Sequence, residues 1–221
     1  MKNLVQIKGD ASFRKFFRKK NKEKTSIIVF SKKEKFKNLV VYDAVNKILN
    51  KNKILAPKLY SENFNKNFIE IQDFGNKTFF KILKKRSNKL NHFKRIIDLL
   101  KKIQNIKSRE IINFKKQKYK IGKYSKTILE KEANLFCDWY VKKKLKKKHY
   151  YKFTKEFKKI IKKLVSNLKL KNNVFVHRDF HVSNLMLVDK KIGVIDSQDA
   201  LIGNKAYDLA SLIDDVRLKT S

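Results

Sequence analysis

The chain has 221 residues, 42% of them hydrophobic, and a single cysteine, which excludes a disordered chain and one held by internal disulfides. No stretch has the roughly 20 apolar residues of a membrane span and the start lacks the apolar core of a signal peptide, so we expect a cytoplasmic protein without a membrane partner. The formal net charge of +37 comes mostly from lysines, which are spread along the chain among many Asn and Ile residues, as AT-rich coding produces. We therefore expect no specific nucleic-acid partner, only non-specific binding to nucleic acid. A working polyanion-binding surface is the alternative.

The first 73 residues predict a small antiparallel sheet with one helix. Apolar residues fall at helical spacing over residues 39–49, and short apolar or alternating runs predict strands around them. The predicted strands are residues 4–7, 13–18, 26–30, 59–60 and 68–72. The run Asp73-Phe74-Gly75-Asn76 then breaks the pattern, and we assign residues 1–73 to an N-terminal lobe.

Helices dominate the rest of the chain. They are predicted at residues 78–83, 92–106, 127–145, 155–168 and 207–216, with a strand at 174–176 and a hairpin formed by 185–188 and 192–195. The third helix carries one apolar stripe, which we interpret as core: Ile128, Leu129, Ala133, Phe136, Trp139 and Tyr140. Residues 74–221 thus form a C-terminal lobe, and the fold class predicted is α+β, with a ligand cleft between two lobes.

The strongest chemical signal is the segment 174–188, in which His177-Arg178-Asp179 is followed five residues later by Asn184, with an apolar run on each side. Asp196 ends the next apolar run. Phosphoryl transfer from ATP needs a carboxylate to orient the acceptor hydroxyl, and an amide oxygen and a second carboxylate to hold Mg²⁺ against the phosphates. The pattern predicts Asp179 in the first role, and Asn184 and Asp196 in the second.

A simpler interpretation is that His177 and Asp179 only cap a turn and pair with Arg178. We favour the catalytic interpretation because the His-Arg-Asp prefix, the flanking strands and the downstream Asp196 occur together. For His177 itself we favour a structural role, bracing the loop through hydrogen bonds, over direct acid–base work.

The segment HRDFHVSNLM (177–186) resembles the catalytic loop of the aminoglycoside phosphotransferase and choline kinase superfamily. Three further segments resemble one branch of it: GDASFRKFFR (9–18), LFCDWY (135–140), and VIDSQDA (194–200) with YDLASL (207–212). The branch consists of bacterial kinases that phosphorylate N-acetylmuramate and N-acetylglucosamine at the anomeric hydroxyl during cell-wall recycling. The resemblance runs from about residue 7 to residue 216.

The resemblance implies a protein-kinase-like bilobal fold, ATP and Mg²⁺ as cofactors, and a small sugar as substrate. It implies that Asp179 is the catalytic base, that Asn184 and Asp196 are the metal ligands, and that Asp208 braces the loop. The nucleotide-contacting residues that it implies are a phosphate-covering turn at Ser12, Phe13 and Arg14, a strand lysine at Lys32 or Lys33 with Asp43 as a candidate acidic partner, and an adenine-binding hinge that includes Glu70 and Gln72. The alternative to the phosphate-covering turn is an ordinary hairpin turn at Gly9-Asp10.

Two departures from the family pattern bear on the function. Position 197 is Ser where the branch usually has Phe, which predicts looser packing beside Asp196. The relatives continue well beyond the segment 207–212, so we expect an incomplete C-terminal lobe or a reduced sugar site. The alternatives are therefore a kinase for another small alcohol, such as choline or an aminoglycoside, or a non-catalytic remnant that binds nucleotide or polyanions. The oligomeric state is not indicated.

Overall fold

The computed structural model describes residues 4–7, 14–21, 24–32, 37–85, 89–169 and 171–218. Its N-terminal part is a five-stranded antiparallel sheet in the order β1-β2-β3-β5-β4. The elements are β1 (Leu4–Ile7), β2 (Arg14–Asn21), β3 (Lys24–Ser31), helix α1 (Lys37–Lys51), β4 (Leu59–Asn63) and β5 (Phe68–Gln72). These strands and this helix confirm the predicted pattern of the first 73 residues.

The second part is mainly helical, with short two-stranded ladders. Its elements are α2 (Phe79–Lys84), α3 (Leu90–Gln104), β6 (Glu110–Ile112), β7 (Lys118–Lys120), α4 (Lys126–Leu135), a π-helical turn (Phe136–Val141), α5 (Lys142–Lys144), α6 (Lys147–Asn167), β8 (Val174–Val176), β9 (Leu185–Val188), β10 (Lys191–Val194), β11 (Leu201–Gly203) and α7 (Tyr207–Ile213). The ladders β6–β7 and β8–β11 were not predicted from the sequence. Within the described ranges, none of the helices combines the length and the apolar character needed to cross a bilayer.

Helix α1 belongs to two apolar cores. Leu39 and Tyr42 pack on the sheet with Ile69, while Ile48 on the same helix joins the larger core that contains Phe175 of β8. Burial of apolar surface is the main stabilising contribution to a fold of this size. Because one helix contributes to both cores, it fixes the sheet relative to the helical part.

Two two-stranded antiparallel ladders position the segments that carry the predicted site. Strand β8 pairs with β11, and β9 pairs with β10 across the turn at residues 189–190. The loop 177–184 runs from the end of β8 to the start of β9, and Asp196 follows β10 by two residues. Gly193 on β10 lies so close to Phe74 that an added Cβ would come within 2.7 Å of its ring, so this close packing requires glycine.

The apolar stripe predicted as core on the helix at residues 127–145 is wrong: Ile128, Leu129 and Ala133 are only partly buried, and the other three side chains are exposed. Phe136, Trp139 and Tyr140 are 46%, 67% and 56% exposed, whereas Cys137 and Val141 are buried. The prediction assumed 3.6 residues per turn across the whole segment, but Phe136–Val141 form a π-helical turn. Trp139 and Tyr140 lie within this turn, whose wider winding takes them off the face that a 3.6-residue period predicts.

Candidate active site

The three residues predicted to carry the chemistry lie together at the ends of the two ladders. The backbone N–H of Ile195, next to Asp196, donates a 3.0 Å hydrogen bond to the carbonyl of Asn184. The side-chain nitrogen of Asn184 donates to the carbonyl of Asp179 at 3.0 Å. Through these two bonds the loop 177–184 is closed on itself and tied to the segment that carries Asp196.

The carboxylates of Asp179 and Asp196 are electrostatically coupled. Burial raises the pKa of Asp179 above its ordinary value, and the negative charges of Asp196 and then Asp199 raise it further. Arg178 and Arg14 act in the opposite direction. The charge of Asp196 acts on Asp179 because the two side chains lie near each other.

Asp208 and His177 hold the loop from beneath. The carboxylate of Asp208 accepts hydrogen bonds from the backbone N–H groups of His177 (2.7 Å) and Arg178 (2.9 Å). The fully buried imidazole of His177 donates from Nε2 to the carbonyl of Ile195 at 3.1 Å. Burial, and then the charge of His181, lower the pKa of His177 to about 4, so the ring is neutral at pH 7. Both residues thus have the geometry of structural braces.

Arg178 turns its side chain away from Asp179 and towards helix α4. Its backbone has φ 78°, a left-handed conformation that is costly for a side chain of this size. The guanidinium forms an ion pair with Glu132 and lies 5.6 Å from the ring centroid of Tyr124, whose hydroxyl also donates to Glu132. Sequence reasoning missed Glu132 and Tyr124, because no local motif relates either residue to the loop.

Arg14 reaches the site from the sheet. Its Nη2 lies 2.8 Å from Oδ1 of Asp196, and its side chain is only 5% exposed. The guanidinium lies 5.9 Å from the ring centroid of Tyr42 on α1. Burial, and then the charge of Asp196, raise the pKa of that tyrosine, so it stays a neutral phenol. The sequence placed Arg14 in a turn that offers backbone groups, whereas the structure places its side chain on Asp196.

Two of the other predicted phosphate-contacting residues, Ser12 and Phe13, lie outside the described residues, as does Lys33. Lys32 directly follows β3 and is exposed. The carboxylate of Asp43 is paired on its own helix with Lys47, at 2.9 Å, and accepts a hydrogen bond from the backbone of Phe114. Asp43 is thus engaged by partners other than the strand lysine that was expected.

The predicted hinge residues lie on β5, an inner strand of the sheet. The carboxylate of Glu70 accepts hydrogen bonds from Ser26 (2.6 Å) and Lys19. The backbone N–H of Gln72 donates to the carbonyl of Lys58 at 2.8 Å. These contacts engage the Glu70 side chain and the Gln72 N–H, and the role of the two residues in binding adenine stays a prediction.

The side chains present fit a magnesium ion that arrives with phosphate. In the part of the chain that the structure describes, no three His, Cys, Asp or Glu side chains are grouped to hold a metal by themselves. The hydrogen bonds of the Asn184 side chain to Asp179 and His181 use its nitrogen, which leaves its oxygen for a cation beside the Asp196 carboxylate. Mg²⁺ prefers one or two protein oxygens supplemented by substrate phosphates and water.

The chain is similar in sequence to curated proteins from bacteria. The chain is 28% identical over 215 residues to a curated Neisseria meningitidis protein called N-acetylmuramate/N-acetylglucosamine kinase, a match that covers 96% of this chain and 61% of the relative. A Pseudomonas aeruginosa protein of the same name is 27% identical, over 96% of this chain and 60% of its own length. The chain thus spans about three-fifths of the length of the curated relatives it matches.

Solved structures give the fold. The ADP-bound aminoglycoside phosphotransferase APH(2'')-Ib superposes with a TM-score of 0.66 at 16% identity, over 99% of this chain and 74% of that one. The choline kinase LicA from Streptococcus pneumoniae gives 0.67 at 13% identity, over 98% and 70%. The predicted α+β, protein-kinase-like fold is therefore confirmed. The family model described as "Phosphotransferase enzyme family" matches residues 3–220, so the chain belongs to that family.

Proposed function

We propose that this protein transfers the γ-phosphate of ATP to a hydroxyl of a small molecule, and that the acceptor is the anomeric hydroxyl of an N-acetylated amino sugar. The observation that carries the proposal is the convergence of Asp179, Asn184 and Asp196, from a loop and a neighbouring hairpin, on one region. Phosphoryl transfer needs positioning and charge stabilisation rather than a covalent intermediate, and three oxygen-bearing side chains suffice for that task.

Asp179 acts on the acceptor. Its carboxylate orients the attacking hydroxyl and accepts its proton as the new bond to the γ-phosphorus forms and the bond from that phosphorus to the ADP leaving group breaks. The raised pKa of Asp179 suits this role, because a stronger base takes the proton more readily. The hydrogen bonds that the backbone N–H groups of His177 and Arg178 donate to the Asp208 carboxylate keep Asp179 in place during the transfer.

Asn184 and Asp196 would hold magnesium, which when bound neutralises charge that develops on the phosphates. Asp196 itself has φ 63°, so its side chain leaves β10 in a direction that extended backbone would not provide. The hydrogen bond between Ile195 and Asn184 sets the spacing of the two side chains before any ligand arrives.

The choice of acceptor rests on the relatives. Those that match 96% of this chain are called N-acetylmuramate/N-acetylglucosamine kinases, whereas the structures named for aminoglycosides or choline are 12–16% identical and support only the fold. Because the chain covers three-fifths of those relatives, an assay must show whether it binds a sugar productively.

The test is a phosphorus NMR assay of the purified chain with ATP and MgCl₂. N-acetylmuramate and N-acetylglucosamine are the expected acceptors, with choline and kanamycin as competing candidates and N-acetylglucosamine methyl glycoside as the matched control. The methyl glycoside lacks only the free anomeric hydroxyl, so it should give no product. A new sugar phosphate signal that EDTA abolishes is the expected result.

Two results would contradict the proposal. Phosphorylation of the methyl glycoside at the same rate would remove the anomeric hydroxyl as acceptor. Absence of product from every compound, together with salt-sensitive binding of RNA, would favour a non-catalytic remnant whose basic surface binds polyanions.

A further inference from the structure

Strand β3 does not supply a cation to the site. In protein kinases a lysine on this strand contacts the phosphates of ATP. Here the only basic residue of β3 is Lys24, at the start of the strand and exposed, while the buried positions are Ser26, Ile27, Val29 and Ser31. Lys32, just past the strand, is also exposed. A buried cation must therefore come from another element.

Strand β2 supplies that cation. Arg14 stands directly opposite Ser31 in the β2–β3 register, so it lies at the end of β3 that approaches the site. The guanidinium is enclosed by the rings of Phe16 and Tyr42, at 5.8 and 5.9 Å from their centroids. Asn38 accepts a further hydrogen bond from it. These contacts aim a fixed positive charge at Asp196.

The ion pair with Asp196 places Arg14 in competition with a metal. Oδ1 of Asp196 already accepts from Arg14 at 2.8 Å, whereas the Asp196 side chain is 35% exposed and open to a ligand. A divalent cation on this carboxylate would sit within a few ångströms of the guanidinium and be repelled by it. An incoming triphosphate reverses this balance, because its negative oxygens can accept hydrogen bonds from the buried Arg14 while the metal takes Asp196.

We infer that Arg14 is the cation that contacts the nucleotide phosphates in this protein, and that it makes metal binding at Asp196 depend on the nucleotide. The inference rests on the proposed function, since it assumes that the cleft binds a nucleoside triphosphate with magnesium. It predicts effects of opposite sign: loss of the guanidinium weakens nucleotide binding and strengthens the binding of metal alone.

The experiment measures two affinities of the full chain without any acceptor. Binding of ADP and ATP in MgCl₂ is followed by calorimetry, and binding of Mn²⁺ alone by electron paramagnetic resonance. For Arg14→Met we expect nucleotide affinity to fall roughly 10- to 100-fold, the loss typical of hydrogen bonds to a charged group, and Mn²⁺ affinity to rise. Arg14→Lys keeps the charge without the fork of donors, so its nucleotide affinity should lie between those of wild type and Arg14→Met.

Lys15→Ala is the matched control. It removes one positive charge from the neighbouring, exposed position of the same strand, and should change neither affinity. If Arg14→Met binds nucleotide as tightly as wild type, the inference about Arg14 is overturned while the proposed function still stands. Weaker binding of both nucleotide and Mn²⁺ would also overturn it, because a side chain that only supports the fold weakens both.

Circular dichroism shows whether each variant folds. If Arg14→Met does not fold, the affinities of Arg14→Lys decide the outcome. Arg14→Lys must then show weaker nucleotide binding and no loss of Mn²⁺ affinity, and any other result would overturn the inference. If wild type itself binds no nucleotide, the proposed function fails and takes this inference with it.

Discussion

The hydroxyl of Ser197 donates a 2.6 Å hydrogen bond to the side-chain oxygen of Asn46, and so ties the segment after Asp196 to helix α1. Both residues are buried, and the Asn46 nitrogen in turn donates to the carbonyl of Pro57. The family branch that this chain resembles usually has Phe at this position. Here the small polar residue is matched by a buried amide, which explains why Ser is accommodated beside the candidate metal ligand.

Replacing Ser197 by Ala should destabilise the protein by about 1–3 kcal/mol. The change removes one donor and leaves the Asn46 oxygen buried without it, which is the costly way to lose a hydrogen bond. Urea unfolding followed by circular dichroism measures the difference. Ser166→Ala, on an exposed turn of α6, is the control and should stay within about 0.5 kcal/mol of wild type. Equal stability of the two variants would show that the Ser197 bond contributes nothing.

Asp179→Asn should lower the turnover number roughly 10²- to 10⁴-fold, the usual contribution of a positioned general base. The amide cannot accept the hydroxyl proton, yet it keeps the shape of the side chain. Nucleotide affinity and the unfolding midpoint should stay near the wild-type values. Asp189→Asn, in the exposed turn between β9 and β10, is the same chemical change away from the site and should leave turnover intact. Wild-type turnover by Asp179→Asn would remove this residue from the mechanism.

Asp199→Asn should move the acidic limb of the kcat/KM profile to lower pH. Burial, Asp196 and Asp199 all raise the pKa of Asp179, so the base is protonated, and activity is lost, at a higher pH than for an ordinary aspartate. Removing the Asp199 charge lowers that pKa, and the loss of activity on acidification should then begin later. Asp189→Asn should leave the limb in place. Coincident profiles for wild type and Asp199→Asn would show that Asp199 does not act on the base.

The proximity of Asp179 and Asn184 was predictable because their spacing is local. Asp179 and Asn184 are separated by one turn-forming segment between two apolar strands, and such a segment can be recognised without knowledge of the rest of the chain. The contact between Arg14 and Asp196 spans 182 positions. It depends on how the sheet lies against the segment that follows β10, which no local pattern encodes. The abundance of lysines near Lys32 hid the absence of an inward cation on β3.

The positions of most helices were predictable, although α6 begins at Lys147 rather than at residue 155, but the helix phase was not. The periodicity around residues 127–145 correctly indicated helical structure, but it placed Trp139 in the core and took no account of Val141. A π-helical turn changes the phase through a shift in backbone hydrogen bonding, and the side chains carry little trace of it. The contact of Glu132 with Arg178 was not predictable either, because the two residues lie 46 positions apart in the sequence.

His177 and Asp208 should change the acid stability of the protein in opposite directions. The pKa of His177 falls from 6.5 to about 4 on burial, so between these values the unfolded chain takes up a proton that the folded one does not. Acidification from pH 6.5 to 4 therefore costs stability through His177. The pKa of Asp208 rises from 3.8 to about 6 on burial, so over that window the folded chain takes up the proton, and acidification adds stability.

Each shift corresponds to roughly 3 kcal/mol, so the two contributions nearly cancel between pH 6 and pH 4 in the wild type. Asp208→Asn removes the compensating gain, and its stability should fall about 2 kcal/mol more than that of wild type between pH 6.5 and pH 4.5. His177→Gln should instead gain stability relative to wild type as the pH falls. Urea unfolding at pH 6.5 and 4.5 measures these slopes, which are independent of the absolute cost of either substitution. Parallel slopes in all three proteins would mean that neither shift exists, because each substitution removes only one of the two opposing titrations.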